Sequence, residues 1–359
     1  MENLHIRSAQ GNYLVHFRDS LSSIVETLLS APPTVIVADA RVVELYGKQL
    51  SPLLLAVPHL LLEATEENKS LSGAQRCVEF FQSHGCNRNS TSLAIGGGII
   101  QDICSFCSHI FHRGMGWSFL PTTLLSMSDS CIGAKCCINL GTFKNQLGVF
   151  QSPSDVTICP AFLDTLDDRD IASGYGEILK LMLTGPPARF EAMSRVVAKH
   201  GFRNSQLPSL IREALDTKRE IIEIDEYDRG IRQTLNYGHT FGHALEAVTK
   251  HAVPHGLAVV WGIDVVNHIA ERRGLLLPQH RRVISDFIRQ HFFDTSLPPL
   301  QAPDLLEGVR RDKKAAAGDI TLAILREPGR LERIKISIDA RLQTDLQDYL
   351  NGHNVFSKY

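Results

Sequence analysis

The run Thr91-Ser-Leu-Ala-Ile95, followed at once by Gly96-Gly97-Gly98, restricts the fold of this chain more than any other stretch. A short apolar run bounded by turn residues reads as a buried strand, and the pattern from Ile99 to His112 reads as a helix. Three glycines between them let the backbone approach a ligand closely, while the helix start behind offers N–H groups to phosphate oxygens. The spacing is not Gly-x-Gly-x-x-Gly, so the ordinary dinucleotide fingerprint is missing, and tight strand-to-helix turns also use glycine for steric reasons. Upstream, Thr34-Val-Ile-Val-Ala-Asp39 reads as a buried parallel strand ending in an acid. Leu60 to Glu63 reads as another strand, Ser72 to Gly85 as a helix, and Trp117 to Leu120 as a short strand. Strands that alternate with helices argue for βαβ units and a parallel sheet.

From Asp168 onward the texture changes. Segments 168–183, 188–200, 207–224, 239–250, 256–274 and 279–292 carry helical patterns, separated in part by Pro186-Pro187 and Leu207-Pro208. Ile320 to Leu325 and Ile334 to Ile338 read as a hairpin joined through Glu-Pro-Gly. A chain of 359 residues exceeds the size at which one core usually suffices. The expectation is an α/β domain over residues 1–160 and a mainly helical domain over 161–359.

A net charge of −2 argues against nonspecific binding to nucleic acid or to acidic membranes. No apolar run approaches the roughly 18 residues of a membrane span, and the first residues lack the basic-then-apolar order of a signal peptide. A soluble, cytoplasmic protein is expected. Eight cysteines in so long a chain do not form a dense disulfide framework. Cys104 and Cys107, though spaced as CxxC, have no second such pair and read as core. Cys136 and Cys137 are expected in a loop.

Two groups of residues carry chemistry. Arg113, Lys135 and Lys144 lie in apolar, glycine-rich sequence, which suits a phosphorylated, carboxylated substrate. The second group begins at Arg232-Gln-Thr-Leu-Asn236-Tyr-Gly-His239-Thr-Phe-Gly-His243 and ends with Pro254-His255-Gly256. On a continuous helix, positions 236, 239 and 243 would share a face. Glu177 and Lys180 could share another, either as a plain ion pair or as a ligand beside a substrate-binding ammonium. One glutamate and two histidines form a ligand set of catalytic zinc sites. Glu177, His239 and His255 are the candidates here, with His243 left for acid–base work.

In their order these motifs resemble the dehydroquinate synthase family of sugar phosphate cyclases. The resemblance runs from about Asp39 to Lys314 and rests on Gly96-Gly97-Gly98 with Asp102, His112-Arg113-Gly114, Pro121-Thr122-Thr123, Asp129 through Lys135, and Lys144-Asn145. It continues through Gly176-Glu177 with Lys180, Lys218 with Asp225-Glu226, Asn236 through His243, His255-Gly256 and Asp312-Lys313-Lys314. The resemblance implies a Rossmann-like NAD-binding domain followed by an all-α metal-binding domain. NAD would be contacted by Asp39, Glu66, Lys69, Gly97, Gly98, Asp102, Thr122, Thr123, Asp129, Lys144, Thr165 and Leu166. Glu177, His239 and His255 would bind a zinc- or cobalt-like ion. Lys135, Asn145, Lys180, Lys218, Arg232, Asn236, His243 and one of Lys313 or Lys314 would hold a sugar phosphate substrate. Arg113 would reach a phosphate in a neighbouring subunit, which implies a homodimer.

The implied chemistry is transient oxidation of a secondary hydroxyl by NAD, phosphate elimination, re-reduction, ring opening and an intramolecular aldol closure, with NAD regenerated. Departures from the family pattern are Gln101 for a glycine, Gly133-Ala134-Lys135 for Gly-Gly-Lys, and Cys136-Cys137 for Thr-Gly. Arg232, Asn236, His243 and the Asp-Lys-Lys run favour a substrate with a carboxylate, as in dehydroquinate synthesis. Sister cyclases of valiolone or inosose type, acting on sedoheptulose 7-phosphate or glucose 6-phosphate, are the alternatives. A glycerol-dehydrogenase-like oxidoreductase and an inactive binding homologue follow them.

Overall fold

The computed structural model describes residues 1–141, 143–292, 297–311 and 318–356. They divide into two compact units, residues 1–167 with 218–227, and residues 168–217 with 228–356. The sequence expectation set one border near residue 160 and did not foresee that 218–227 belongs with the first unit.

The first unit holds β1 (Leu4–Ile6), β2 (Tyr13–Phe17), α1 (Leu21–Ser30), β3 (Val35–Asp39), α2 (Ala40–Ala56), β4 (His59–Leu62) and α3 (Leu71–Ser83). It continues with β5 (Thr91–Gly96), α4 (Gly98–Ile110), β6 (Gly116–Pro121), β7 (Lys135–Leu140), β8 (Phe143–Phe150) and β9 (Asp155–Ile158). Among the described residues, one seven-stranded sheet runs β1-β2-β9-β6-β5-β3-β4, parallel except for the β1–β2 pair. Val35, Ile36, Val37 and Ala38 are fully buried because both faces of β3 are covered. Each large side chain of this kind contributes about 1.5–3 kcal/mol by leaving water.

The chain runs from β3 to β4 on one side, then crosses back so that β5 and β6 lie on the other. The strand order therefore reverses between β3 and β5. In open parallel sheets such a reversal leaves a crevice beyond the carboxyl ends of the strands. Asp39 and Gly96 end the two strands concerned.

Cys136 and Cys137 lie in β7, not in the expected loop. β7 pairs antiparallel with β8 as a hairpin, with Cys136 opposite Val149 and Cys137 opposite Gly148. The apolar alternation through Cys136 and Ile138 is short and interrupted by Asn139, which hides the strand from a pattern reading. The cysteines are free, and Cys104 and Cys107 are buried as core.

The second unit begins with α5 (Asp168–Thr184), α6 (Pro187–His200) and α7 (Leu207–Ile222), the last five residues of α7 belonging to the first unit. It continues with α8 (His239–Val248), α9 (His255–Arg272), α10 (Pro278–His291), α11 (Ala302–Arg311), β10 (Asp319–Glu327), β11 (Arg330–Ser337) and α12 (Ala340–Gly352). The unit is helical apart from the β10–β11 hairpin, close to where the sequence places one. Every residue of α9 from Gly256 to Ala270 is buried, the polar Asp264, Asn267 and His268 included, as befits a mainly apolar helix at the centre of a core. No helix among the described residues is long and apolar enough to cross a membrane.

Candidate metal centre and cofactor site

Backbone contact at glycine positions brings the metal candidates together. A Cβ on Gly176 of α5 would stand 2.2 Å from the carbonyl oxygen of Gly256 in α9. A Cβ on Gly238 would stand 2.6 Å from the carbonyl oxygen of Val259 in the same helix. Only glycine permits such approach. Gly176 precedes Glu177, Gly238 precedes His239, and Gly256 follows His255, so each close contact carries a candidate ligand beside it.

Glu177 is 1% exposed. Its Oε1 lies 3.1 Å from His255 Nε2 and 3.6 Å from His239 Nε2, while Oε2 lies 2.5 Å from Lys180 Nζ. Donor atoms on a tetrahedral ion with bonds of about 2.0–2.1 Å stand roughly 3.4 Å apart. The three donors therefore fit a zinc-like ion in type, and the oxygen fits it in its spacing from each nitrogen. His243 also converges on this place: its ring centroid lies 5.4 Å from that of His239 and 5.8 Å from that of His255. The three imidazoles themselves form a grouping that could hold an ion. Glu177 together with His239 and His255 is the better set, because a buried carboxylate already reaches both rings.

Asn236 is not on the helix of His239 and His243. It ends a 3₁₀ turn, Ile231–Asn236, and Gly238 at φ 79° breaks the path before α8 starts. The shared-face expectation thus holds for 239 and 243 alone. Arg232 is buried in the same turn.

The sequence reading missed Glu246. It is buried, and its Oε2 lies 3.1 Å from His255 Nδ1. Positions 239, 243 and 246 are spaced i, i+4, i+7, so helix periodicity pointed to it. Burial alone would lower the pKa of His255, but hydrogen bonds to Glu177 and Glu246 and their charges outweigh this and hold it up, to about 10. This is a place that favours positive charge. A second cluster, His268, Asp348 and His353, does not. Arg272 donates to Asp348 at 2.7 Å, and burial followed by the nearby Arg281 guanidinium pushes His268 down to about 4.

In the first unit, the cofactor candidates gather at the carboxyl ends of the central parallel strands. Asp39 ends β3, and its side chain accepts from Arg41 N at 2.9 Å, capping α2. Gly97 caps α4 and Gly98 begins it. A Cβ on Gly98 would meet only Ser130 Oγ at 3.8 Å, so the helix start is open on that side, as a bound phosphate requires. Thr122 and Thr123 follow β6, and Thr122 N donates to Gly96 O at 2.9 Å. The donor set and this opening fit a dinucleotide.

Beside it runs a charged network. Lys69 Nζ lies 2.6 Å from Asp102 Oδ2 and donates to Asn145 Oδ1 at 2.7 Å. Burial raises the pKa of Asp102, and Lys69 opposes that rise. Cys137 N donates to Asp102 Oδ1 at 3.0 Å. Lys144 Nζ lies 3.0 Å from Glu66 Oε1, and Asn139 Nδ2 donates to Glu66 Oε2 at 2.9 Å. Asn145 adopts φ 56° and its N–H donates to Asn139 Oδ1. Lys218 Nζ pairs with the Asp129 carboxylate and donates to its carbonyl oxygen. Asp129 lies in a π-helical turn, Ser126–Ser130, tied to α4 by reciprocal 2.7 Å bonds between Gln101 and Ser130.

The remaining candidates are dispersed. Thr165 Oγ1 lies 3.0 Å from Tyr46 Oη, and Leu166 follows it at the end of a 3₁₀ turn. Lys135 is exposed at the start of β7. Arg113 is exposed in a turn whose residues His112 and Arg113 both have positive φ. Lys313 and Lys314 lie outside the described residues.

The chain matches the family models for the N-terminal part of 3-dehydroquinate synthase over residues 59–173 and for its C-terminal part over 174–315. It is 30% identical over 355 residues to the 3-dehydroquinate synthase of Alkaliphilus metalliredigens (strain QYMF), covering 98% of this chain and 99% of the other. Among solved structures, 2-epi-5-epi-valiolone synthase from Streptomyces hygroscopicus subsp. jinggangensis 5008, with NAD+ and Zn2+ bound, superposes with a TM-score of 0.85 at 25% identity. That match covers 95% of this chain and 98% of the other. A 2-deoxy-scyllo-inosose synthase complexed with carbaglucose-6-phosphate, NAD+ and Co2+ shares the fold, with a TM-score of 0.86, 20% identity and coverage of 97% and 99%.

Proposed function

The chain belongs to the 3-dehydroquinate synthase family, and from that premise we propose that it cyclises a phosphorylated ketose acid to a carbocycle with release of phosphate. The observation that carries this reading is the convergence of Glu177, His239, His243 and His255, with Lys180 bound to the same carboxylate. Glu177, His239 and His255 would hold the divalent ion, and the residues at the β3 and β5 ends, with the Lys69–Asp102 network, would hold NAD. When bound, the ion would polarise a secondary hydroxyl of the substrate and NAD would take up and return its hydride.

The chain's own side chains do the rest. Lys180 presents an ammonium fixed by Glu177 to a substrate hydroxyl. Arg232 and Asn236, with one of Lys313 or Lys314, suit a carboxylate, which a planar guanidinium binds in bidentate fashion. Lys135, Asn145 and Lys218 suit the remaining hydroxyls and the phosphate. His243, one helical turn from His239, moves protons at its imidazole, and Lys135 offsets the charge that develops as phosphate leaves. Arg113 would reach the phosphate of a neighbouring subunit in a homodimer.

The test supplies 3-deoxy-arabino-heptulosonate 7-phosphate with NAD and zinc or cobalt. Phosphate release with dehydroquinate formation and no accumulating NADH is the expected result. NADH released in step with turnover would make the chain a dehydrogenase instead. The similarity to a valiolone synthase structure favours a second reading: turnover of sedoheptulose 7-phosphate in place of the ketose acid would establish it.

A further inference from the structure

The two histidines of the metal centre are gripped at the same ring atom. His239 Nδ1 lies 3.3 Å from the carbonyl oxygen of Tyr237, and His255 Nδ1 lies 3.1 Å from Glu246 Oε2. With an ion bound, a proton on each Nδ1, donated outward, would leave each Nε2 lone pair facing an ion shared with Glu177 Oε1. The outer partners differ. One is a neutral carbonyl and the other a carboxylate that is only 6% exposed.

The local chain path serves this contact. Glu246 lies in the last turn of α8, and the chain folds back there, with His251 N donating to Glu246 O at 2.7 Å. His255 then opens α9. The ring of His251 stays further off, with Nδ1 3.9 Å from Glu246 Oε1.

We propose that Glu246 is a positioning residue of the metal centre: through a charge-assisted hydrogen bond at Nδ1 it fixes the ring and tautomer of His255, so that Nε2 faces Glu177 Oε1 and a cation shared with it. The proposal rests on Glu177, His239 and His255 being the ligand set, and the test separates the two ideas.

Metal-free wild type, Glu246→Gln and Glu177→Ala are titrated with Zn2+ and Co2+ against a competing chelator, and the Co2+ visible absorption of each is recorded. Glutamine keeps the volume and an acceptor oxygen but not the charge. Glu246→Gln is expected to weaken binding about 10- to 100-fold and to shift the Co2+ bands, with unchanged circular dichroism. Binding by Glu246→Gln within about threefold of wild type, while Glu177→Ala loses the metal, would overturn the role of Glu246 alone. Retention of metal by Glu177→Ala would instead overturn the ligand set. If Glu246→Gln fails to fold, nitrogen-15 spectra of the histidines in zinc-loaded wild type decide: the proposal requires His255 protonated at Nδ1, and protonation at Nε2 refutes it.

Discussion

Gly176→Ala is a one-methyl change that should damage the metal centre more than the fold. The new Cβ would stand 2.2 Å from Gly256 O, 2.6 Å from Gly256 C and 3.0 Å from Gly256 Cα. All three are backbone atoms in the first turn of α9, so no side chain can swing aside. Non-bonded contact is comfortable at about 3.5 Å, and the two helices must part by roughly 1 Å at this crossing. Glu177 and His255 ride on that displacement, which would stretch their 3.1 Å separation to about 4 Å. Metal sites tolerate about 0.2 Å in ligand distance.

The two consequences differ in size. Overpacking costs about 1–3 kcal/mol, and alanine in a helix interior recovers up to about 1 kcal/mol relative to glycine. The net loss of stability is therefore about 0–3 kcal/mol. Zinc affinity is expected to fall at least 100-fold, about 2.8 kcal/mol. Chelator competition on the metal-free protein measures the affinity, and urea unfolding of the same protein measures the stability. Zinc binding within about threefold of wild type would refute the reasoning, because the donor spacing would then not depend on how closely α5 approaches α9.

Two further outcomes follow from local structure. At Gly47 in α2 an added Cβ meets no heavy atom within 4 Å, so Gly47→Ala should stabilise the protein by about 0.5–1 kcal/mol, seen as a higher urea midpoint at unchanged slope. Burial alone would raise the pKa of Glu66, but the Asn139 bond and Lys144 outweigh it and hold its carboxyl below the usual value. A depressed carboxyl contributes stability above its unfolded pKa of about 4.3 and loses it as the pH falls through the folded value. Glu66→Gln should flatten that acid limb in urea midpoints taken between about pH 7 and pH 3, and an unchanged limb would contradict the network.

The alternation of strands and helices up to residue 121 was legible because each central strand is apolar on both faces and ends at a punctuating residue. The outer parts of the same sheet were not. β1 and β2 are short, with His5 and His16 breaking their apolar runs, and β9 spans only Asp155–Ile158. Such strands take their identity from pairing: Val15 stands opposite Leu4 on one side and Val156 on the other. No local pattern encodes that. α2 was missed for the opposite reason, since Pro52 interrupts its helical sequence. Pro52 has no N–H for the carbonyl of Lys48, which accepts from Ser51 Oγ at 3.2 Å instead.

The candidate ligands were legible by type, but their glycines were read only as turn residues. Gly176, Gly238 and Gly256 are where α5, α8 and α9 touch backbone to backbone, and each adjoins a candidate ligand in sequence. A motif of one functional residue beside one glycine therefore states two requirements at once, a donor atom and the close approach that delivers it. Periodicity sees the first and not the second, because the partner of each glycine lies on another helix. The same limit explains Asn236. Its spacing from His239 fits a helix, but Gly238 at φ 79° ends the 3₁₀ turn and starts α8 in a new direction. A glycine that must turn left-handed can thus set a neighbouring amide off the face that spacing alone assigns to it.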